Sequence, residues 1–197
     1  GYINTLIERL ALSHPEISFR FINQNQTKLH TSGNGNLKDV IYHIYGRDIT
    51  ANLLEVDADE VSCQVKGFIG KPVVSRGNRN YMNYFINGRY IKSSTIHKAI
   101  EDAYQPYTMQ HRYPFTVLHF TVNPELVDIN VHPQKMEIRF SDAQGIYQSV
   151  YHAVSEALKY KEFIPEVTLQ ENSSERKAGG RSGSVGNTGG TFQKDHA

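Results

Sequence analysis

A mixed sheet with helices packed on one face, in the α/β (α+β) class, is the fold this sequence predicts. Three observations predict it: stretches alternating apolar and polar residues, apolar residues recurring at helical spacing, and the interleaving of the two along the chain. The 197 residues suffice for one core with an appendage. Hydrophobic residues at 39% and charged residues at 21% are a globular balance, while the mean hydropathy of −0.50 means that part of the chain is too polar to pack.

Ile3, Leu6, Ile7 and Leu10 fall on one helical stripe, and Pro15 follows the helix they predict. Ile17 to Asn23, with Ile17, Phe19 and Phe21 on one face, pairs as a hairpin with Lys28 to Thr31. Ser32-Gly33-Asn34-Gly35-Asn36 is a plain loop, since it lacks the lysine and hydroxyl of a phosphate loop. Leu37, Val40, Ile41 and Ile44 form a helix stopped by Gly46. Asn52 to Val56 and Val61 to Ile69 read as strands, with Val61, Cys63 and Val65 on one face and the turn at Asp57 to Glu60.

Lys71 to Asn80 is a basic loop leading into the strand Tyr81 to Ile86. Asn87-Gly88 supplies the positive backbone angles of a tight turn, and Arg89 to Ile91 returns. Ser93, Ser94 or Thr95 caps a helix with Ile96, Ala99, Ile100 and Ala103 inward. Phe115 to Val122 is the most hydrophobic strand, broken by Asn123-Pro124. Val127 to Val131 and Met136 to Phe140 are extended, and Ser141 caps a last helix burying Ile146, Val150, Val154, Ala157 and Leu158. From about residue 165 to 197 the chain is expected to be a flexible, disordered Gly/Ser-rich linker, too poor in apolar residues to offset its ordering entropy.

Lys and Arg number 21 against 20 Asp and Glu, so the net charge of +1 creates no overall field toward nucleic acid. A nucleic-acid contact therefore needs a local patch. Lys71, Arg76, Arg79, Arg89, Lys92 and Lys98, interleaved with Tyr81, Tyr84 and Tyr90, are the best candidate, and they equally fit a solvated rim over core tyrosines. Cys63, the single cysteine, reads as core and fits a reducing compartment. No histidine pair has metal-ligand spacing around a glutamate, so no metal site is expected. Asp128 and His132 lack a nucleophile context and are not read as a hydrolytic triad.

No apolar run approaches the roughly 18 residues of a membrane helix, and the start lacks the regions of a signal peptide. A cytoplasmic protein without membrane contact is expected. The chain starts without methionine and almost directly on a helical pattern, which reads as a piece of a longer polypeptide.

Two segments are specific. Tyr84-Phe85-Ile86-Asn87-Gly88-Arg89-Tyr90-Ile91 and Val127-Asp128-Ile129-Asn130-Val131-His132-Pro133-Gln134-Lys135-Met136-Glu137-Ile138-Arg139-Phe140 resemble the signature of the MutL family of DNA mismatch repair proteins. In the second, the chain departs from the family's pattern only by isoleucine for valine at Ile129 and Ile138. The likeness extends more loosely over the chain to about Leu158.

The resemblance implies the transducer domain, over residues 1–164, of the N-terminal ATPase half of such a protein. The implied fold is that of the second domain of ribosomal protein S-five, with a left-handed β-α-β crossover. Lys135 would reach the terminal phosphate of ATP in an adjoining nucleotide-binding domain absent from this sequence, with Asn130, His132, Pro133, Glu137 and Arg139 holding its loop. ATP and Mg are implied for the intact protein, with neither expected on this chain alone, which is not expected to be an enzyme by itself. The implied partners are the chain's own ATPase domain, DNA, a mismatch recognition protein of the MutS type, and a second copy in a full-length homodimer. The competing expectation is a non-enzymatic nucleic-acid or protein-interaction module sharing this fold.

Overall fold

The computed structural model describes residues 1–128 and 138–160. The linker expected at 165–197 lies outside them. In chain order come α1 (Tyr2–Ser13), β1 (Arg20–Asn23), β2 (Gln26–His30), α2 (Leu37–Tyr45), α3 (Arg47–Thr50), β3 (Leu53–Asp59) and β4 (Gln64–Gly70). After two short 3₁₀ turns follow β5 (Met82–Ile86), β6 (Arg89–Ile91), α4 (Ser94–Tyr104) and β7 (Thr116–Thr121). A third 3₁₀ turn precedes β8 (Val127–Asp128), and β9 (Arg139–Phe140) and α5 (Ala143–Tyr160) close the series.

The expected mixed sheet is present, with five strands in the order β3-β4-β7-β5-β6. Every pair is antiparallel except β5 with β7, which run parallel through the connection formed by β6 and α4. Two-residue alternation gives each strand two faces. Val56, Val65, Tyr84, Ile86, Leu118 and Phe120 point to the face covered by α4 and α5, whose Ile96, Ile100, Val150 and Val154 are fully buried.

The opposite face is covered too. Phe85, Phe115 and Val117 pack there with Ala11 and Leu12 of α1, Val40 and Ile41 of α2, Ile49 of α3 and Leu29 of β2. The arrangement with helices on one face thus describes α4 and α5, and the N-terminal helices form a second layer. On α1 the buried side is Ile7, Ala11 and Leu12, whereas the predicted stripe residues Ile3, Leu6 and Leu10 are 62%, 43% and 40% exposed. Apolar residues cover more than half of this helix's circumference, so periodicity alone could not choose the side that faces the sheet.

Other local expectations shift for visible reasons. β3 continues to Asp59, which moves the turn to the next residues, where Glu60 N–H bonds Cys63 C=O at 3.0 Å and Val61 is left wholly exposed. β1 starts at Arg20 rather than Ile17, because the Thr31 hydroxyl accepts from Phe19 N–H at 2.9 Å and Ser18 Oγ donates to Thr31 O at 2.7 Å. The cap of α5 is Asp142, not Ser141: Asp142 Oδ1 accepts from Gly145 N–H at 2.8 Å. Ser93 and Asn36 cap α4 and α2, and Gly46 ends α2 at φ 82°. Gly67, at φ 136°, lies so close to β7 that a Cβ there would be 2.2 Å from Val117 O.

Candidate nucleic-acid interface

The basic loop 71–80 is fixed by the residues around it. Arg76 and Tyr113 exchange two main-chain hydrogen bonds of 2.8 Å, which ties the loop to the segment entering β7. Asn78 Oδ1 accepts from Asn80 N–H at 3.0 Å and starts the 3₁₀ turn Arg79–Tyr81. The Arg76 guanidinium lies 5.4 Å from the Tyr81 ring centre, and that of Arg79 lies 4.5 Å from the Tyr113 ring centre. These aromatic faces position the two guanidinium groups by cation–π contact.

Among the described residues, Arg79 and Lys98 have carboxylate partners. Arg79 is bidentate to Glu101, at 2.5 and 2.9 Å, and this hydrogen bonding raises the guanidinium pKa above its ordinary value. Lys98 Nζ donates to Asp102 at 2.8 Å, which lifts the ammonium pKa and, with the Tyr147 hydroxyl as a second donor, lowers that of the Asp102 carboxyl. Lys71 is half-buried beside the 3₁₀ turn Pro72–Val74. Arg76, Arg89 and Lys92 form no ion pair among the described residues.

The sheet separates these basic residues. Arg76 and Arg79 lie where β5 and β7 begin, whereas Arg89 lies beyond the other end of β5, roughly 16 Å along extended chain. Lys92, one residue past the Tyr84–Ile91 pair, returns to the first end. Of the interleaved tyrosines, Tyr84 is core at 1% exposure, with its ring edge-on to His97 at 5.1 Å. Tyr90 carries a cation that sequence reading missed, the Arg9 guanidinium 4.0 Å over its ring. Nothing in the spacing of residues so far apart could have paired them. Arg112 was also missed; its Nη1 donates to Ser75 O at 3.3 Å on the same side as Arg76.

Asn87-Gly88 is more than a turn. Asn87 and Gly88 take φ 48° and 81°, as a tight hairpin requires. Asn87 Nδ2 also donates to Val122 O at 3.0 Å, its Oδ1 accepts from Val122 N–H at 3.1 Å, and its own N–H bonds Phe120 O at 2.9 Å. One side chain thereby extends the β5–β7 pairing past the strand end.

Downstream, Val127 pairs with Phe140 and Asp128 with Arg139, so the two flanks of the segment holding Lys135 are hydrogen-bonded neighbours. Arg139 is exposed on β9. Lys135, Asn130, His132, Pro133 and Glu137 lie outside the described residues. Among the described residues no group of three or more His, Cys, Asp or Glu could hold a metal ion, and no helix is long and apolar enough to cross a membrane. Cys63 is buried, and desolvation pushes its thiol up to about 11, so it is core as expected.

This fold is shared with a solved chain described as the N terminal domain of a DNA repair protein, at a TM-score of 0.67 and 20% identity, covering 82% of this chain and 54% of that one. The architecture is therefore one found in DNA repair proteins. The family model for "DNA mismatch repair protein, C-terminal domain" matches residues 41–159. The DNA mismatch repair protein MutL of Agathobacter rectalis is 58% identical over 177 residues, 90% of this chain and 27% of that protein. That of Caldanaerobacter subterraneus is 36% identical over 171 residues, 87% of this chain and 29% of that protein. The chain belongs to the MutL family of DNA mismatch repair proteins, and it spans a little over a quarter of the length of these relatives.

Proposed function

We propose that this chain is the transducer segment of a mismatch repair ATPase, converting nucleotide occupancy in an adjoining domain into a rearranged DNA-contacting surface. The observation that carries the proposal is the family motif around Lys135 together with the β8–β9 pairing of its flanks. Both ends of the segment are tied to one place, and β9 leads directly into α5, which is packed on the sheet. A pull on the segment is therefore transmitted to the core rather than dissipated.

ATP and Mg would be held by the adjoining domain, and Lys135 is the residue of this chain that would meet the terminal phosphate. A lysine suits that position, being a compact charge on a flexible stem that loses its partner once phosphate leaves. Asn130, His132, Pro133, Glu137 and Arg139 would hold the segment in register.

The DNA surface of the proposal rests on Lys71, Arg76 and Lys92 toward the end where β5 and β7 begin, with Arg89 at the opposite end of β5 and with Arg79 and Lys98 moderated by their carboxylates. Phosphate contacts of this kind give salt-sensitive binding with little sequence preference. The mismatch recognition protein and the second copy would be partners of the full-length protein.

The test is steady-state ATPase of the full-length protein with Lys135→Ala. We expect a fall of roughly ten- to a thousandfold, the range for loss of a charge-stabilising contact in a phosphoryl-transfer site. Unchanged ATPase, with DNA binding indifferent to a non-hydrolysable ATP analogue, would leave a simple nucleic-acid-binding module in its place.

A further inference from the structure

His97 and Glu101 stand one turn apart on α4, so their side chains lie one above the other on a single stripe of the helix. That stripe meets the end of the loop 71–80. Glu101 is occupied there by Arg79, whose Nε and Nη2 each donate to one carboxylate oxygen while the side chain stays half exposed. His97 is half-buried, with the Tyr84 ring edge-on at 5.1 Å, and forms no ion pair among the described residues.

The groups around His97 pull in opposite directions. Burial acts most and disfavours the imidazolium; Glu101 favours it, Arg79 opposes it, the Ser93 main chain favours it and Lys92 opposes it, with a net pKa below the ordinary value. On the neighbouring stripe Lys98 donates to Asp102, and Tyr147 of α5 does the same, so those three groups are engaged with one another. Glu101 thus lies within reach of two groups that can carry positive charge, and Arg79 holds it. With both oxygens bound to the guanidinium fork, the carboxylate has little left for a protonated His97.

We propose that Glu101 is a proton-linked latch on Arg79: when a DNA phosphate takes the guanidinium, the freed carboxylate pairs with His97, which takes up a proton from solvent. This rests on the DNA-surface reading above and adds a regulation to it. A phosphate offers Arg79 the same two-oxygen geometry as the carboxylate, so the exchange keeps the guanidinium satisfied. Linkage fixes the sign. Because His97 holds its proton more tightly in the complex than in the free chain, affinity for DNA climbs as pH falls between the two titrations and is level outside that interval.

The experiment has two arms. In the first, the His97 ring protons are followed by NMR against pH, without DNA, in this chain, in Arg79→Gln, in Glu101→Gln and in the double variant; the same spectra report whether each is folded. Arg79→Gln imitates the opened latch, and we expect it to raise the proton affinity of His97 about tenfold, the low end for a carboxylate brought into contact. In the Glu101→Gln background the same change should do far less. Equal rises in both backgrounds would mean that Arg79 merely repels the proton, and the latch would be overturned. In the second arm, a labelled blunt mixed-sequence duplex is titrated at low salt by fluorescence anisotropy from about pH 8 to about pH 5.5. We expect the unmodified chain to tighten roughly three- to tenfold more than His97→Gln over that range, tenfold being the ceiling for one proton held about tenfold more tightly in the complex. Parallel profiles would overturn the coupling to DNA while leaving the DNA surface intact. Failure of the unmodified chain to bind duplex at any pH would remove the DNA surface and the phosphate that opens the latch, and the partner exchange would then stand or fall on the NMR cycle.

Discussion

Asn87 shows how much one residue of a motif can carry. Its backbone angle opens the turn, and its amide then satisfies both the donor and the acceptor of Val122. Asn87→Ala should cost about 2–3 kcal/mol, the sum of two hydrogen bonds and the left-handed preference that alanine lacks. Urea denaturation of the two proteins checks this, and Asn87→Asp should recover only the accepting half. The turn was legible in the sequence because Asn-Gly is a local signal. The bond to Val122 was not, because it joins residues 35 apart, and side-chain reach across a sheet depends on strand order that local pattern does not contain. Arg9 over Tyr90 was hidden for the same reason.

Among the elements, α4 links the charge pattern to the fold. Its outer face places Glu101 on Arg79 and Asp102 on Lys98, so the helix neutralises part of the basic surface whose arginines the loop 71–80 presents. Glu101→Gln should release Arg79 toward phosphate. We expect tighter duplex binding and a plot of log affinity against log salt steeper by about one, the increment for one further phosphate contact. An unchanged slope would mean that Arg79 never faces DNA. Helix and strand existence was readable for nearly every element because periods of 3.6 and 2 report burial directly. α3, with four residues, is too short to show a period, and the side of α1 that faces the sheet was ambiguous because both sides are apolar.

At the scale of the whole molecule, the N-terminal layer and the sheet meet at His119. Its Nε2 lies 3.0 Å from Leu12 O, and its ring stacks on Phe85 at 4.8 Å. Desolvation is the main cause of its lowered pKa; the Leu12 hydrogen bond and Glu16 oppose the shift, and His14 adds to it. A histidine depressed in the fold gives stability that is present above its unfolded pKa of about 6.5 and is lost as pH falls through the depressed value. His97, also lowered chiefly by desolvation, acts in the same direction, whereas exposed His152, raised by Glu60, opposes both. Denaturation midpoints should therefore fall from pH 7 toward pH 5, and His119→Gln should flatten that profile while keeping an amide donor for Leu12 O. An unchanged profile in the variant would place the acid sensitivity elsewhere.

The position of β7 has a consequence for synthesis. Because it lies between β4 and β5, the hairpins β3–β4 and β5–β6 share no strand-to-strand hydrogen bond until β7 arrives. On a ribosome making the chain from its N-terminus, the two hairpins emerge first and wait with inner edges unpaired. The sheet is completed only when residues 116–121 clear the exit tunnel, so a pause in translation before that point leaves the inner edges of β4 and β5 open to pairing with another chain.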